Sequence, residues 1–230
     1  MKSLDQARVR WIVDHALLED IGQGDPTTSA IGAGDDFAHA QIIAKQDGVL
    51  CGLDIARLVF TTHAEELSLH SSVEDGQRIE SGQVILHIEG PGARVLEAER
   101  TALNLMGRRS GISTLAAAYV EAIQHTQTTI LDTRKTTPLL RELEKYAVRT
   151  GGASNHRMGL HDMILIKENH VRLAGGMTKA LQNTFTNKPE QIKVEIEVRD
   201  LEELEAARRF ELERIMLDNF QIADLKKAVE

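Results

Sequence analysis

From residue 128 onward one arrangement repeats: a short apolar run ends in charged residues and a helical-looking stretch follows. The runs sit within TTILDTRK, MILIKENH, KVEIEVRD and RIMLDNF. Strands that alternate with helices predict βα units in a largely parallel sheet, because parallel neighbours need a crossover of a dozen or more residues. The charged residues fall at or just after the strands' C-terminal ends: Asp132, Arg134 and Lys135, then Lys167, then Glu197, then Asp218. Successive separations of 35, 30 and 21 residues from Asp132 onward each accommodate one βα repeat. A parallel sheet brings such tips to one face, the face where α/β barrels and open α/β sheets bind ligands. One polar strand end is commonplace, whereas four in succession point to a site.

The chain has 230 residues, 42% hydrophobic and only 3% aromatic, so its core is aliphatic and a base-stacking surface is not expected. A formal net charge of -8 opposes binding to nucleic acid or an anionic membrane, so any anion site must be local. Cys51 is the only cysteine, which excludes an intramolecular disulfide and a cysteine zinc cluster. The opening MKSLDQARVRW has charges where a signal peptide needs an apolar core, and no run approaches a membrane span. A cytoplasmic location is the resulting expectation.

Before the βα region the text differs. Val9, Ile12, Val13, Ala16 and Leu17 recur at helical spacing, and EDIGQGDPTTS then breaks the pattern. AQIIAK, GVLCG, LSLHSSV and QVILHIEG read as short strands, with LDIARLVFTTHAEE as a helix between them. EDGQRIESGQVILHIEG reads as a structural β-hairpin; it has the look of a biotinyl or lipoyl carrier hairpin, but no lysine at the tip. Residues 94 to 123 carry Leu96, Leu103, Met106, Ile112 and Leu115 at periodic positions. They predict two helices meeting near Gly107 or Gly111 at a domain junction. The expected domains are therefore 1–111, with a small sheet, and 112–230, with the βα units.

Charge concentrates where the strand ends should converge. Residues 132 to 172 hold eight Lys or Arg against five Asp or Glu, a net of +3 that leaves -11 for the remainder. In TGGASNHRMGL, glycines precede Asn155, His156 and Arg157, which lets backbone N–H groups and a guanidinium approach an anion together. With Arg134, Lys135 and Lys167 this describes a pocket for carboxylates and phosphates. Strict alternation in KVEIEV puts Glu195 and Glu197 on the face opposite Val194, Ile196 and Val198. Glu197 lies nearer the tip, and with Asp218 it is a candidate to hold Mg2+ or to balance a cationic transition state; Glu195 is assigned to support, paired with a basic residue. Many cations beside separate carboxylates suit a polyanion reacting through a cationic intermediate, as in phosphoribosyl transfer.

The stretch DTRKTTPLLRELEKYAVRTGGASNHRMGLHDMILIKENH, with LLEDIGQGDPTT, GVLCGLD, EAERTALNLMGRRSGIST, VEIEV and MLDNF, resembles the quinolinate phosphoribosyltransferase family. The resemblance implies an N-terminal α/β sandwich joined to an open α/β barrel, working as a homodimer. It also implies conversion of quinolinate and phosphoribosyl pyrophosphate to nicotinate mononucleotide, pyrophosphate and CO2 with Mg2+, for NAD synthesis. By that resemblance Arg134, His156, Arg157 and Lys167 grip quinolinate, with Arg100 of AERT reaching in from the partner subunit; Lys135, Glu197 and Asp218 serve phosphoribosyl pyrophosphate and its metal. Two departures accompany it. Ala153 stands where the family has a third glycine, and after MLDNFQIADLKKAVE no further βα units follow, so the barrel is expected to be incomplete. That shortfall makes a non-catalytic anion-binding or dimerisation fragment the alternative expectation. A molybdenum-transport-associated paralogue is disfavoured, because NHR and IKENH retain the residues suited to quinolinate.

Overall fold

The computed structural model describes residues 4–32 and 36–230. Residues 1–3 and 33–35, inside the expected first domain, lie outside the described residues. Internal packing divides the chain into two compact units, the first ending at His156 and the second running from Arg157 to Glu230.

The first unit begins with α1 (Gln6–Ile21), capped by the Asp5 side chain accepting from the Arg8 N–H, and α2 (Pro26–Ile31), capped by Asp25. Val9, Ile12, Val13 and Leu17 of α1 turn inward, as their spacing predicts. Then come β1 (Phe37–Ile43), β2 (Gly48–Val49), α3 (Leu53–His63), β3 (Ser68–His70), β4 (Arg78–Ile79) and β5 (Val84–Pro91). Among the described residues β5 lies between β1 and β3 in one antiparallel sheet, while β2 and β4 pair separately. The hairpin expected across EDGQRIESGQVILHIEG is therefore corrected: β4 pairs with β2, and β5 with β1 and β3. The burial of β5 explains this, since Ile85, Leu86 and Ile88 lie in the core and gain more from a central place than from a two-stranded ribbon.

A single helix, α4 (Gly92–Ala122), replaces the two helices expected near Gly107 or Gly111. Each glycine costs about 1 kcal/mol relative to alanine in a helix interior. Neither breaks α4, because Val95, Ala98, Ala102, Leu105 and Met106 are buried before them and Ser113 and Ala116 after them. Leu96 and Leu115 belong to its outer face, 49% and 61% exposed. The expected boundary at 111/112 falls inside this helix. The last helix of the unit is α5 (Arg141–Thr150), whose closing Gly151 lies so close to α4 that an added Cβ would meet the Ser113 carbonyl oxygen at 2.3 Å.

The second unit contains β6 (Ile164–Ile166), α6 (Glu168–Ala174), α7 (Met177–Asn187), β7 (Val194–Val198), α8 (Leu201–Ala207), β8 (Arg214–Leu217) and α9 (Ile222–Val229). The strands run parallel in the order β6-β7-β8 with helices between them, which gives the α/β class and the βα units expected of an open barrel. Ile166, Ala180, Leu181, Val194, Ile196, Val198, Leu204 and Ala207 form their core. TTILDTRK differs from the other three runs. It makes an isolated parallel bridge, Leu131 to Ser154, within the first unit, and Thr126 to Thr129 are exposed with no apolar face to bury.

Candidate active site

In the first unit Asp132 ends the bridged segment, and both its oxygens are committed. It pairs with the Lys145 ammonium and accepts from the Asn155 amide at 2.7 Å and from the His156 N–H at 2.8 Å. Lys145 is 1% exposed and also donates to the His156 carbonyl at 3.0 Å. Asn155 completes the circuit by donating to the Lys145 carbonyl at 2.9 Å and by accepting from Arg149. So compact an exchange compensates two charges whose burial would otherwise cost several kcal/mol each.

The loop beyond Asp132 is held by the same helix. Arg141 of α5 donates to the Thr136 hydroxyl at 2.9 Å and to the Arg134 carbonyl at 3.4 Å. Glu144 accepts from the Thr137 N–H at 3.1 Å and from Arg108 of α4 at 3.5 Å. Residues 141, 144 and 145 share one helical face by their i, i+3 and i+4 spacing. By contrast, among the described residues the Arg134 Nε is buried without a hydrogen-bond partner and the Lys135 ammonium has no acid paired to it. Arg100 is exposed on α4.

In the second unit Lys167 follows β6 and forms an ion pair with Glu197 of β7. The register explains it: Ile166 stands opposite Ile196, so the next residues meet. Asp218 follows β8, its N–H donating to the Val198 carbonyl at 2.8 Å, and with Glu197, Glu168, Glu203 and Arg199 it lines one narrow cleft. Glu195 is fully buried and faces Arg214 of β8 at 3.0 Å. Arg157 is buried to 8% exposure and donates to the Met163 carbonyl at 2.9 Å, which folds the loop leading to β6. Asp162 braces that loop by accepting from Met158 and Gly159; burial raises its pKa, but these N–H groups outweigh it and hold the carboxyl below its ordinary value.

Thus Asp132, Arg134, Lys135 and His156 share the first unit, while Lys167, Glu197 and Asp218 share the second, on neighbouring strands. Sequence reading counts Arg141, Glu144, Lys145 and Arg149 only toward local charge, yet these α5 residues organise the first cluster. Their helical spacing was the available signal, but it does not say which loop they face.

An α/β protein with cations lacking acidic partners beyond one bridged segment, and with carboxylates at the ends of its parallel strands, belongs to a class that handles small anionic substrates. Comparison with known proteins makes this specific. The quinolinate phosphoribosyl transferase N-terminal domain model matches residues 25–110 and the C-terminal domain model residues 112–230. This chain belongs to the quinolinate phosphoribosyltransferase family. A probable nicotinate-nucleotide pyrophosphorylase [carboxylating] of Synechocystis sp. is 41% identical over 214 residues, covering 93% of this chain and 72% of that protein. The nicotinate-nucleotide pyrophosphorylase [carboxylating] of Mycobacterium leprae is 41% identical over 224 residues, covering 96% and 78%. Among solved structures, NadC from Streptococcus pyogenes superposes with a TM-score of 0.94 at 38% identity, covering 99% of this chain and 80% of that one. These relatives bear enzyme names and do not favour the reading as a non-catalytic fragment. Among the described residues no helix is long and apolar enough to cross a membrane.

Proposed function

We propose that this protein transfers the phosphoribosyl group of phosphoribosyl pyrophosphate to quinolinate with decarboxylation, giving nicotinate mononucleotide, pyrophosphate and CO2 in NAD biosynthesis. The observation that carries the reading is the pair Arg134 and Lys135, held out without acidic partners in a chain whose two halves both match this family. The pyridine nitrogen bonds to ribose C1 as the C1–oxygen bond to pyrophosphate breaks; the 2-carboxylate then leaves as CO2 and a proton takes its place.

Arg134, His156, Arg157 and Lys167 bind the quinolinate carboxylates, and Lys135, Glu197 and Asp218 serve phosphoribosyl pyrophosphate. Lys167 keeps Glu197 oriented through their ion pair. A carboxylate so held stabilises the oxocarbenium-like C1 without reorganising. Among the described residues no group of three or more His, Cys, Asp or Glu is placed to hold a metal alone. Glu197 and Asp218 on one cleft fit Mg2+, which takes one or two carboxylates plus substrate phosphates. When bound, Mg2+ neutralises the departing pyrophosphate. The enzyme acts as a cytoplasmic homodimer in which Arg100 enters the partner's site.

Coupled detection of nicotinate mononucleotide tests the reading. Lys135→Ala and Glu197→Ala should each cost about two orders of magnitude or more in kcat/KM. Unchanged turnover in both would remove these role assignments, and absence of product from the unaltered protein would remove the function.

A further inference from the structure

We propose that Lys145 is a positioning residue that fixes His156, and through it the affinity for the pyridine dicarboxylate. This deepens the function proposed above and rests on it for the identity of the ligand.

Both backbone groups of His156 are gripped by one ion pair: its N–H donates to Asp132 at 2.8 Å and its carbonyl accepts from Lys145 at 3.0 Å. With both ends of the residue tied, the direction in which the imidazole leaves the backbone is fixed. The tie is rigid because Lys145 sits on α5 at 1% exposure between buried Leu143 and Ala147, and because Asn155 links Asp132 to the Lys145 carbonyl. Neutral, well-packed residues at both 132 and 145 would avoid the desolvation cost of the two charges, so stability alone does not call for the ion pair. The loop carrying Arg134 and Lys135 has separate anchors in Arg141 and Glu144. Removing the Lys145 ammonium therefore loosens His156 first and leaves the anchors of Lys135 in place.

The test compares the full chain with Lys145→Met in steady-state kinetics. KM for quinolinate should rise about tenfold while KM for phosphoribosyl pyrophosphate stays within about twofold. A merely structural role would reduce the active fraction, seen in kcat, and leave both KM values alone. That pattern, or an equal rise in both, overturns the proposal. If Lys145→Met does not fold, Asn155→Ala keeps the ion pair, removes the Asn155 link, and should raise the quinolinate KM by about threefold. The His156 imidazole NMR signal, assigned by its loss in His156→Gln, gives a readout independent of turnover. It should move in Lys145→Met, or in Asn155→Ala where that variant is used; an unmoved signal overturns the proposal even if the protein proves inactive toward quinolinate.

Discussion

The Tyr146 phenol donates to Asp75 at 2.8 Å across 71 residues of chain. Asp75 also accepts the Gly52 and Leu53 N–H groups, each at 2.9 Å, and so caps α3, whose own cap position is a glycine. Tyr146→Phe should cost about 1 kcal/mol, the ordinary net value of one hydrogen bond. Asp75→Ala strands all three donors and should cost about 2–4 kcal/mol. Urea unfolding of the two variants checks the order.

Cys51 is fully buried, and that burial, only partly offset by Ser113 and Thr150, pushes its thiol from 9.0 up to about 11. The folded state thus holds a proton that the unfolded chain releases. Stability from this group is complete below about pH 9 and falls as pH climbs through about 11, by on the order of 2 kcal/mol. Burial and then Asp75 raise Tyr146 as well, so its loss adds above pH 10. Thermal unfolding from pH 8 to 11 should show a smaller decline in Cys51→Ala than in the unaltered chain.

Arg109 is 1% exposed on α4, and among the described residues its Nε and Nη2 have no hydrogen-bond partner. Desolvation is the chief reason its pKa is lowered. Arg109→Met keeps the volume and removes the stranded charge, so the urea midpoint should rise by the equivalent of about 1–3 kcal/mol. A lower midpoint would mean that the guanidinium is compensated.

Glu195 and Arg214 give the opposite sign. The carboxylate is fully buried, while the arginine side chain is 43% exposed and gives up less solvation to reach it. Arg214→Met should cost about 3 kcal/mol by leaving a buried charge poorly compensated, and the double variant Glu195→Leu, Arg214→Met should recover most of it. A denaturation-based double-mutant cycle measures the coupling.

Periodicity carried α1, α3 and the strands from β6 to β8, because each buries one apolar face that its spacing displays. The strand-end rule placed Lys167, Glu197 and Asp218 on neighbouring strands for the same reason. It failed at TTILDTRK, since Thr128 and Thr129 are exposed and Ile130 and Leu131 only half-buried, which leaves pairing to the one neighbour that offers hydrogen bonds, Ser154. It failed also on the partners of β4 and β5, which are set by long-range packing. Gly107 and Gly111 read as breaks because propensity is local, whereas α4 is held by the residues packed around it. The grip of α5 on residues 132 to 137 was illegible because a helical face shows its period but not its partner.

Because Lys145, Asn155 and His156 absorb the charge of Asp132 internally, the loop beyond it presents Arg134 and Lys135 as a short-range positive field on a chain of net charge -8. Screening confines that field to roughly 8–10 Å. A small dianion samples only this local field and is drawn in, whereas a long polyanion integrates the potential of the whole surface and is repelled. Size discrimination among anions thus arises from how far each ligand extends beyond the reach of two cations, before any contact is made.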